Sequence, residues 1–379
     1  MSICQWDDGG HFASIYINQG DYNKIYDGNY GYMAYEVPEV FGEKVYTEIF
    51  YDNWQYNVIR QEGYKNDAYI TIQQFTPLGW DADYNNVSIY QDKWFSYFND
   101  AYITIYDGSY NKAAIYQVGN RHDAAIDIMW GSDNNIALIS QHTDHNDAWI
   151  NIQNESSNNF ANIVQANSDY DDGFNDAEIH LNYHNDGYAL INQYWHGNEA
   201  FITQEYGFGN KAAIYQKSME SWANIYETGD YNFASICQHH FGWHWANIYI
   251  DGNNNGYHNV IEGTSPYFKP SNPGYHNGYA FKVENWVCFD PTNMIRQEGK
   301  KQKADIYVVG DWNRSNIYQK GYCDPSLAVN NEAYLHIEGN SNWTAQYQDG
   351  QRNFSEINIF DASCGDALTF QVGVENDAH

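Results

Sequence analysis

Apolar and polar positions alternate along this chain in short bursts, and the bursts recur. Residues 111–117 place Ala113, Ile115 and Gln117 on one parity; residues 122–128 do the same with Ala124, Ile126 and Ile128. A period of two is that of a strand, whose successive side chains point to opposite faces. Gly, Asn and Asp separate the bursts, as in Val118-Gly119-Asn120 and Asp251-Gly252-Asn253. These residues tolerate positive φ and turn the chain tightly. Each phrase therefore predicts one strand and one arc.

The phrases come in two kinds. One ends in glutamine, at Gln61, Gln91, Gln117, Gln141, Gln165, Gln193, Gln216, Gln238, Gln297, Gln319, Gln348 and Gln371, with Glu262 in the same series. The other ends mostly in an aliphatic residue, at Ile72, Ile105, Ile128, Ile152, Leu181, Ile250, Val283, Val308, Ile337 and Ile359; Gln204 and Glu227 are exceptions. From residue 59 the kinds alternate, and a pair commonly spans 22–24 residues. Antiparallel hairpins would pair unlike phrases. A winding with two phrases per turn stacks like on like. The prediction is an all-β fold, a two-sheet parallel cross-β solenoid of roughly 15 turns, with about 4.8 Å between strands. One sheet then carries an apolar column. The other carries an amide ladder, in which each buried Gln, costly in isolation, bonds its neighbours above and below.

Before residue 59 the pattern slips. Phrases around Ile3, Ile15 and Ile25 fit it, and residues 31–55 form an irregular segment. Residues 263–278, with Pro266, Pro270 and Pro273, read as a surface insertion. No linker is visible, so 1–379 is expected to be a single solenoid.

Composition narrows the partners. Lys and Arg number 18 against 49 Asp and Glu, a formal charge of −31. Such a body repels nucleic-acid phosphates and anionic lipid surfaces. No apolar run is long enough for a membrane helix, and the first residues lack the pattern of a signal peptide. Neither nucleic acid nor membrane insertion is expected.

The phrase Asn198-Glu199-Ala200-Phe201-Ile202-Thr203-Gln204, followed by Asn210-Lys211-Ala212-Ala213-Ile214-Tyr215-Gln216, resembles the curlin repeat of bacterial curli fibres. The likeness runs from about residue 57 to 371; here Asn opens the phrase where the family usually has Ser, and Tyr is abundant. The resemblance implies an extracellular, cell-surface amyloid subunit that polymerises with itself, head to tail, in a biofilm matrix or for adhesion. The alternative expectation is a monomeric β-helix that binds or acts on polysaccharide. An ice-binding solenoid would need rows of Thr, which is scarce.

Other features are weaker. Tyr follows the central Ile at Tyr90, Tyr116, Tyr226, Tyr249, Tyr307 and Tyr318. Period two turns these outward, either to stack on one another or to contact polysaccharide, a surface or another fibril. The arc containing Asp169, Asp171 and Asp172 offers carboxylates to structural calcium, though its spacing departs from the EF-hand. No other cofactor is expected. His239, His240 and His244 read as a solvated arc in preference to a metal site. Five cysteines at wide spacings form no zinc or redox motif. Five sequons, at Asn86, Asn154, Asn313, Asn342 and Asn353, arise readily in an Asn-rich repeat. No nucleophile elbow, P-loop or zincin motif occurs, and no catalysis is expected.

Overall fold

The computed structural model describes residues 2–6, 12–18, 30–36, 46–52, 58–62, 65–73, 85–91, 97–166, 173–256, 293–321 and 330–378. All regular structure among them is strand. Parallel sheets form a β-solenoid of about ten turns. The chain divides into two compact units, one running to Phe208 and one beginning at Gly209, apart from residues 39–43.

In the first unit the glutamine phrases form the strands Ser2–Trp6, Val58–Glu62, Asn86–Gln91, Lys112–Asn120, Ile136–Asp144, Phe160–Ala166 and Tyr188–Tyr194. Each pairs in parallel with the next, Gln on Gln. The intervening phrases form Phe12–Asn18, Asp67–Gln73 and Asp100–Ile105, then Asp147–Ala148, Asp176–Asn185 and Glu199–Phe208. These also stack like on like.

The second unit repeats the plan. Its glutamine strands are Lys211–Lys217, Phe233–Gly242, Asn293–Lys300, Arg314–Lys320, Trp343–Gln351 and Asp366–Val374. The others are Trp222–Thr228, Trp245–Asp251, Lys303–Val309, Glu332–Asn340, Phe354–Ser363 and Asp377–Ala378. Ala, Ile and the last residue of each phrase point inward. Ile72, Ile105, Ile128, Ile152, Leu181, Ile250, Val308 and Ile337 are fully buried, and Ile359 is partly exposed.

One expectation is met in part and two need correction. Among the described residues the turns number about ten, and the 15 expected are not confirmed. Ser2–Trp6 pairs directly with Val58–Glu62, Phe12–Asn18 with Asp67–Gln73, and Phe233–Gly242 with Asn293–Lys300. The phrases at Ile25, Glu262 and Val283 lie outside the described residues. Second, the phrases at Ile126/Ile128 and Ile150/Ile152 keep their inward Ile but not their strands. Ile126 and Ile128 have φ of 135° and 64°, and Asn151 and Ile152 have 156° and 58°. Positive φ is strained for a β-branched residue. Complete burial of the four Ile side chains offsets that strain. Third, part of the irregular segment is ordered as an antiparallel pair, Tyr30–Glu36 against Tyr46–Asp52. Residues 263–278 lie outside the described residues.

The two kinds of strand differ on their outer faces. The intervening strands alternate buried and half-exposed, as in Trp222–Thr228 and Lys303–Val309. Several glutamine strands are buried on both faces: Ala114, Tyr116, Leu138, Leu190, Ala213, Cys237, Met294 and Ala345 all point away from the Gln column yet are covered. The expectation that Tyr after the central Ile faces solvent therefore fails for Tyr116.

Candidate functional site: amide columns and an open edge

The glutamine residues form two ladders, one in each unit. Gln61 Nε2 donates to Gln91 Oε1 at 2.9 Å, Gln91 to Gln117 at 2.9 Å, and Gln117 to Gln141 at 2.9 Å. Gln141 donates to Gln165 at 3.0 Å, and Gln165 to Gln193 at 2.9 Å. In the second unit the steps run Gln216 to Gln238, Gln297, Gln319, Gln348 and Gln371, at 2.9 to 3.0 Å. Every step has the same direction: Nε2 faces the later rung and Oε1 the earlier one.

Each Nε2 carries a second hydrogen, and it is also used. Gln141 bonds Asn146 O at 2.7 Å and Asp123 O at 2.8 Å, Gln216 bonds Ser221 O at 2.9 Å, and Gln348 bonds Glu332 O at 2.9 Å. The amide thus spans the corner where the strand leaves for the next arc. It adds a second donor to corner carbonyls that already accept a backbone N–H, as Asn146 O does from Asp123 N at 3.0 Å.

Further amide columns occupy the arcs. In the first unit Asn111, Asn135 and Asn159 stack with backbone N–H to Oδ1 bonds of 2.9 Å. Their Nδ2 groups donate to Ser132 O, Ser156 O and His184 O at 2.7 Å each. In the second unit Asn232, Asn255, Asn313 and Asn342 repeat this. The sequence carries a signal for these columns, Asn two residues before the inward Ala, as in Asn99-Asp100-Ala101 and Asn232-Phe233-Ala234. It is the same Asn that opens the phrase. Three sequon asparagines, Asn313, Asn342 and Asn353, lie buried in such columns. Their amides are closed to glycosylation in the folded chain.

In the first unit the residues opening the intervening phrases form an axial row of carboxylates: Asp67, Asp100, Asp123, Asp147, Asp176 and Glu199. Burial, then the neighbouring Asp123 and Asp67 charges, pushes the Asp100 carboxyl up; burial also raises Asp123, Asp147 and Asp176. Asp169, Asp171 and Asp172 lie outside the described residues, so the calcium reading has no geometry behind it. Among the described residues no group of three or more His, Cys, Asp or Glu is placed to hold a metal. The histidine arc corrects an expectation: His239 and His244 are buried, not solvated. Burial first, then nearby cations, pushes His239 down to about 3, and burial holds His244 at about 4. Cys237 is disulfide-bonded, and Cys364 is free and exposed.

The second unit ends its glutamine sheet on the strand Asp366–Val374, one edge of which pairs with no described strand. Its outer face is open. Leu368, Phe370, Val372 and Val374 are 44%, 47%, 60% and 56% exposed, whereas their register neighbours Ala345 and Tyr347 are buried. Beside it an open groove of about 590 Å³ is lined by Glu356, Ile357, Asn358, Ala367, Leu368 and Thr369. Gln371 accepts from Gln348 and donates to Phe354 O; no glutamine rung follows it among the described residues.

The fold places the chain among the parallel β-solenoids. No protein-family model matches it, and no curated protein does.

Proposed function

We propose that this chain is a structural protein whose two-sheet turns add end to end, making an extracellular, curli-like amyloid filament without catalysis. The observation that carries the reading is the one-way glutamine ladder. A column in which every amide donates to the later rung and accepts from the earlier one is continued by another copy in one orientation only, head to tail. Such a heterologous contact does not close, and it yields filaments. The open edge at Asp366–Val374 supports the same reading. A long apolar edge strand is a template for pairing. The Cys237 disulfide fits an oxidising, extracellular setting. The polysaccharide reading has less support, because the outward aromatic rings of the second unit turn their faces to one another.

The test is incubation of the purified full chain, with negative-stain microscopy, fibre diffraction and seeding. Unbranched filaments with a meridional spacing of about 4.8 Å, elongating from preformed seeds, are expected. Added salt screens the −31 charge and speeds elongation. Replacing Phe370 and Val372 by Lys slows it. Discrete particles at every concentration and salt would overturn the proposal.

A further inference from the structure

The outer face of the second unit's intervening strands is half-exposed, and its side chains stand in axial columns. One column is all tyrosine over three rungs. Tyr226 stacks on Tyr249 with ring centroids 5.3 Å apart and planes 6° apart. Tyr249 stacks on Tyr307 at 5.0 Å and 7°. Register fixes the arrangement, because the three residues are direct Cα partners on successive parallel strands. Next to them Asn224 Nδ2 bonds Asn247 Oδ1 at 2.8 Å, which ties the same rungs together.

Stacking decides what this column can do. The ring faces are covered by one another, so the column has no free aromatic plane for a sugar ring. The chemistry left to a half-exposed phenol is that of its edge, the hydroxyl and the two ortho carbons. We propose that the Tyr226–Tyr249–Tyr307 column is a site of oxidative cross-linking, in which a one-electron oxidant couples neighbouring rungs as dityrosine. Each of two phenols gives up one electron and its hydroxyl proton. The two phenoxyl radicals join through one ortho carbon each, forming a single C–C bond. Each coupled ring then moves its ortho hydrogen to oxygen and regains aromaticity. The balance is two hydrogen atoms lost, taken up by one peroxide reduced to two waters, or by two equivalents of an outer-sphere oxidant. Cα register and centroid spacing near 5 Å already supply the proximity this coupling needs. The product ties one turn covalently to the next.

The protein supplies its own comparison. Tyr318 and Tyr347 stack at a similar 5.1 Å, but with their planes 29° apart and with Tyr347 buried. Their hydroxyls are held by Glu298 and Asp349 at 3.2 and 3.3 Å. In the first unit Tyr69 and Tyr102 stack at 5.4 Å and 3° on an open face and share the geometry of the proposed site.

The experiment is photo-oxidation of the full chain with a ruthenium tris-bipyridyl complex and persulfate, read by dityrosine fluorescence and by mass spectrometry of protease digests. The chain holds 36 tyrosines, so the map of linked pairs discriminates. Expected are peptides joined at Tyr226–Tyr249 and Tyr249–Tyr307, and at the other open stacked pairs, Tyr69–Tyr102 and Tyr183–Tyr206, and none at Tyr318–Tyr347. Tyr249→Phe keeps the stacked ring and the fold, by circular dichroism, yet loses both second-unit cross-links. Tyr318→Phe changes nothing. Links scattered across the tyrosines, links at Tyr318–Tyr347 in equal yield, or no dityrosine would each overturn the proposal.

Discussion

Replacing Gln141 by Leu tests whether the ladder holds the turns together. Gln141 is fully buried, so the loss is not made good by water. The substitution keeps the volume but removes the two amide hydrogens, one facing Gln165 Oε1 at 3.0 Å and one shared between Asn146 O and Asp123 O, and the acceptor for Gln117 Nε2 at 2.9 Å. Gln117 keeps its bond to Asp100 O at 2.8 Å and loses only its axial acceptor. Gln165 Oε1 loses its donor outright, whereas Asn146 O and Asp123 O keep the backbone donors Asp123 N at 3.0 Å and Ala148 N at 3.1 Å. With an orphaned buried group costing about 1–3 kcal/mol and a lost bond about 1 kcal/mol, the total is about 2–4 kcal/mol. Repeat arrays need not unfold in one step, so the assay is native-state hydrogen exchange by mass spectrometry on residues 112–166. Protection there is expected to fall by roughly 30- to 1,000-fold, at about 1.4 kcal/mol per decade. The internal comparison is Gln371→Leu. That rung has a glutamine on one side only, and Gln348 Nε2 keeps Glu332 O. Its cost should be about 1 kcal/mol. Equal losses at the two sites, or a loss below about 1 kcal/mol at Gln141, would refute the ladder reasoning.

Other predictions concern the arcs and the buried charges. Gly310 has φ of +111°, and a Cβ there would sit 2.1 Å from Gly339 O in the next turn; Gly310→Ala should destabilise the second unit by roughly 2–4 kcal/mol in urea titration. His244 is held at about 4, below its ordinary 6.5, because burial disfavours the charged ring. Its contribution is complete above pH 6.5 and is lost as pH falls from there towards about 4, by about 3 kcal/mol. In His244→Gln, matching Gln302 one rung on, the thermal midpoint should fall less between pH 7 and 4. For Asp123 the sign is opposite: burial raises its carboxyl, so the ionised form is penalised as pH rises through that value. Asp123→Asn should therefore raise the midpoint at pH 7 and leave it unchanged at pH 3, as calorimetry would show.

How far the fold could be read from sequence depended on whether the signal was local. Alternation of Gln117 with Ile128, or Gln141 with Ile152, is visible within one pair of phrases and implies like-on-like stacking. The buried outer face of the glutamine strands was also written locally. Between Ala and Ile they carry Ala114, Leu138, Leu190 and Ala213, whereas the intervening strands carry Tyr69, Glu178, Asn224 and Asp305. That difference in size and polarity marks which sheet is covered. What could not be read was pairing across long gaps. Gln5 aligns with Gln61 and Gln238 bonds Gln297, each across more than 50 residues of chain. Strand pairing is a contact between distant residues, and no period within a phrase reports it. The open edge at Leu368, Phe370, Val372 and Val374 was hidden for the same reason, since Ala345 and Tyr347 occupy the same phrase positions and are buried.

The amide columns follow from the problem that arcs set. An arc carries carbonyls that no sheet ladder reaches, and in a thin solenoid those carbonyls face the core. At one corner Asn solves this from within the arc, as when Asn135 Nδ2 reaches Ser156 O in the turn beside it. At the other corner the carbonyl already accepts a backbone N–H, as Asn146 O does from Asp123 N, and the strand's Gln adds a second donor there while also serving the axis. Only an amide has two hydrogens at fixed angles, and only the longer one reaches both the next Gln Oε1 and the corner carbonyl. Asn in that place would be one methylene short; Leu or Ile would reach neither. The opposite column has no such carbonyl to serve, and Ile fills it at no polar cost. The Gln–Ile alternation is thus set by backbone hydrogen bonding at the corners. The ladder's single direction comes with it, since an amide that spends one hydrogen on the corner has one left for the axis. A second copy joining this column must supply a carbonyl oxygen to an N–H, which fixes the direction of growth the filament reading requires.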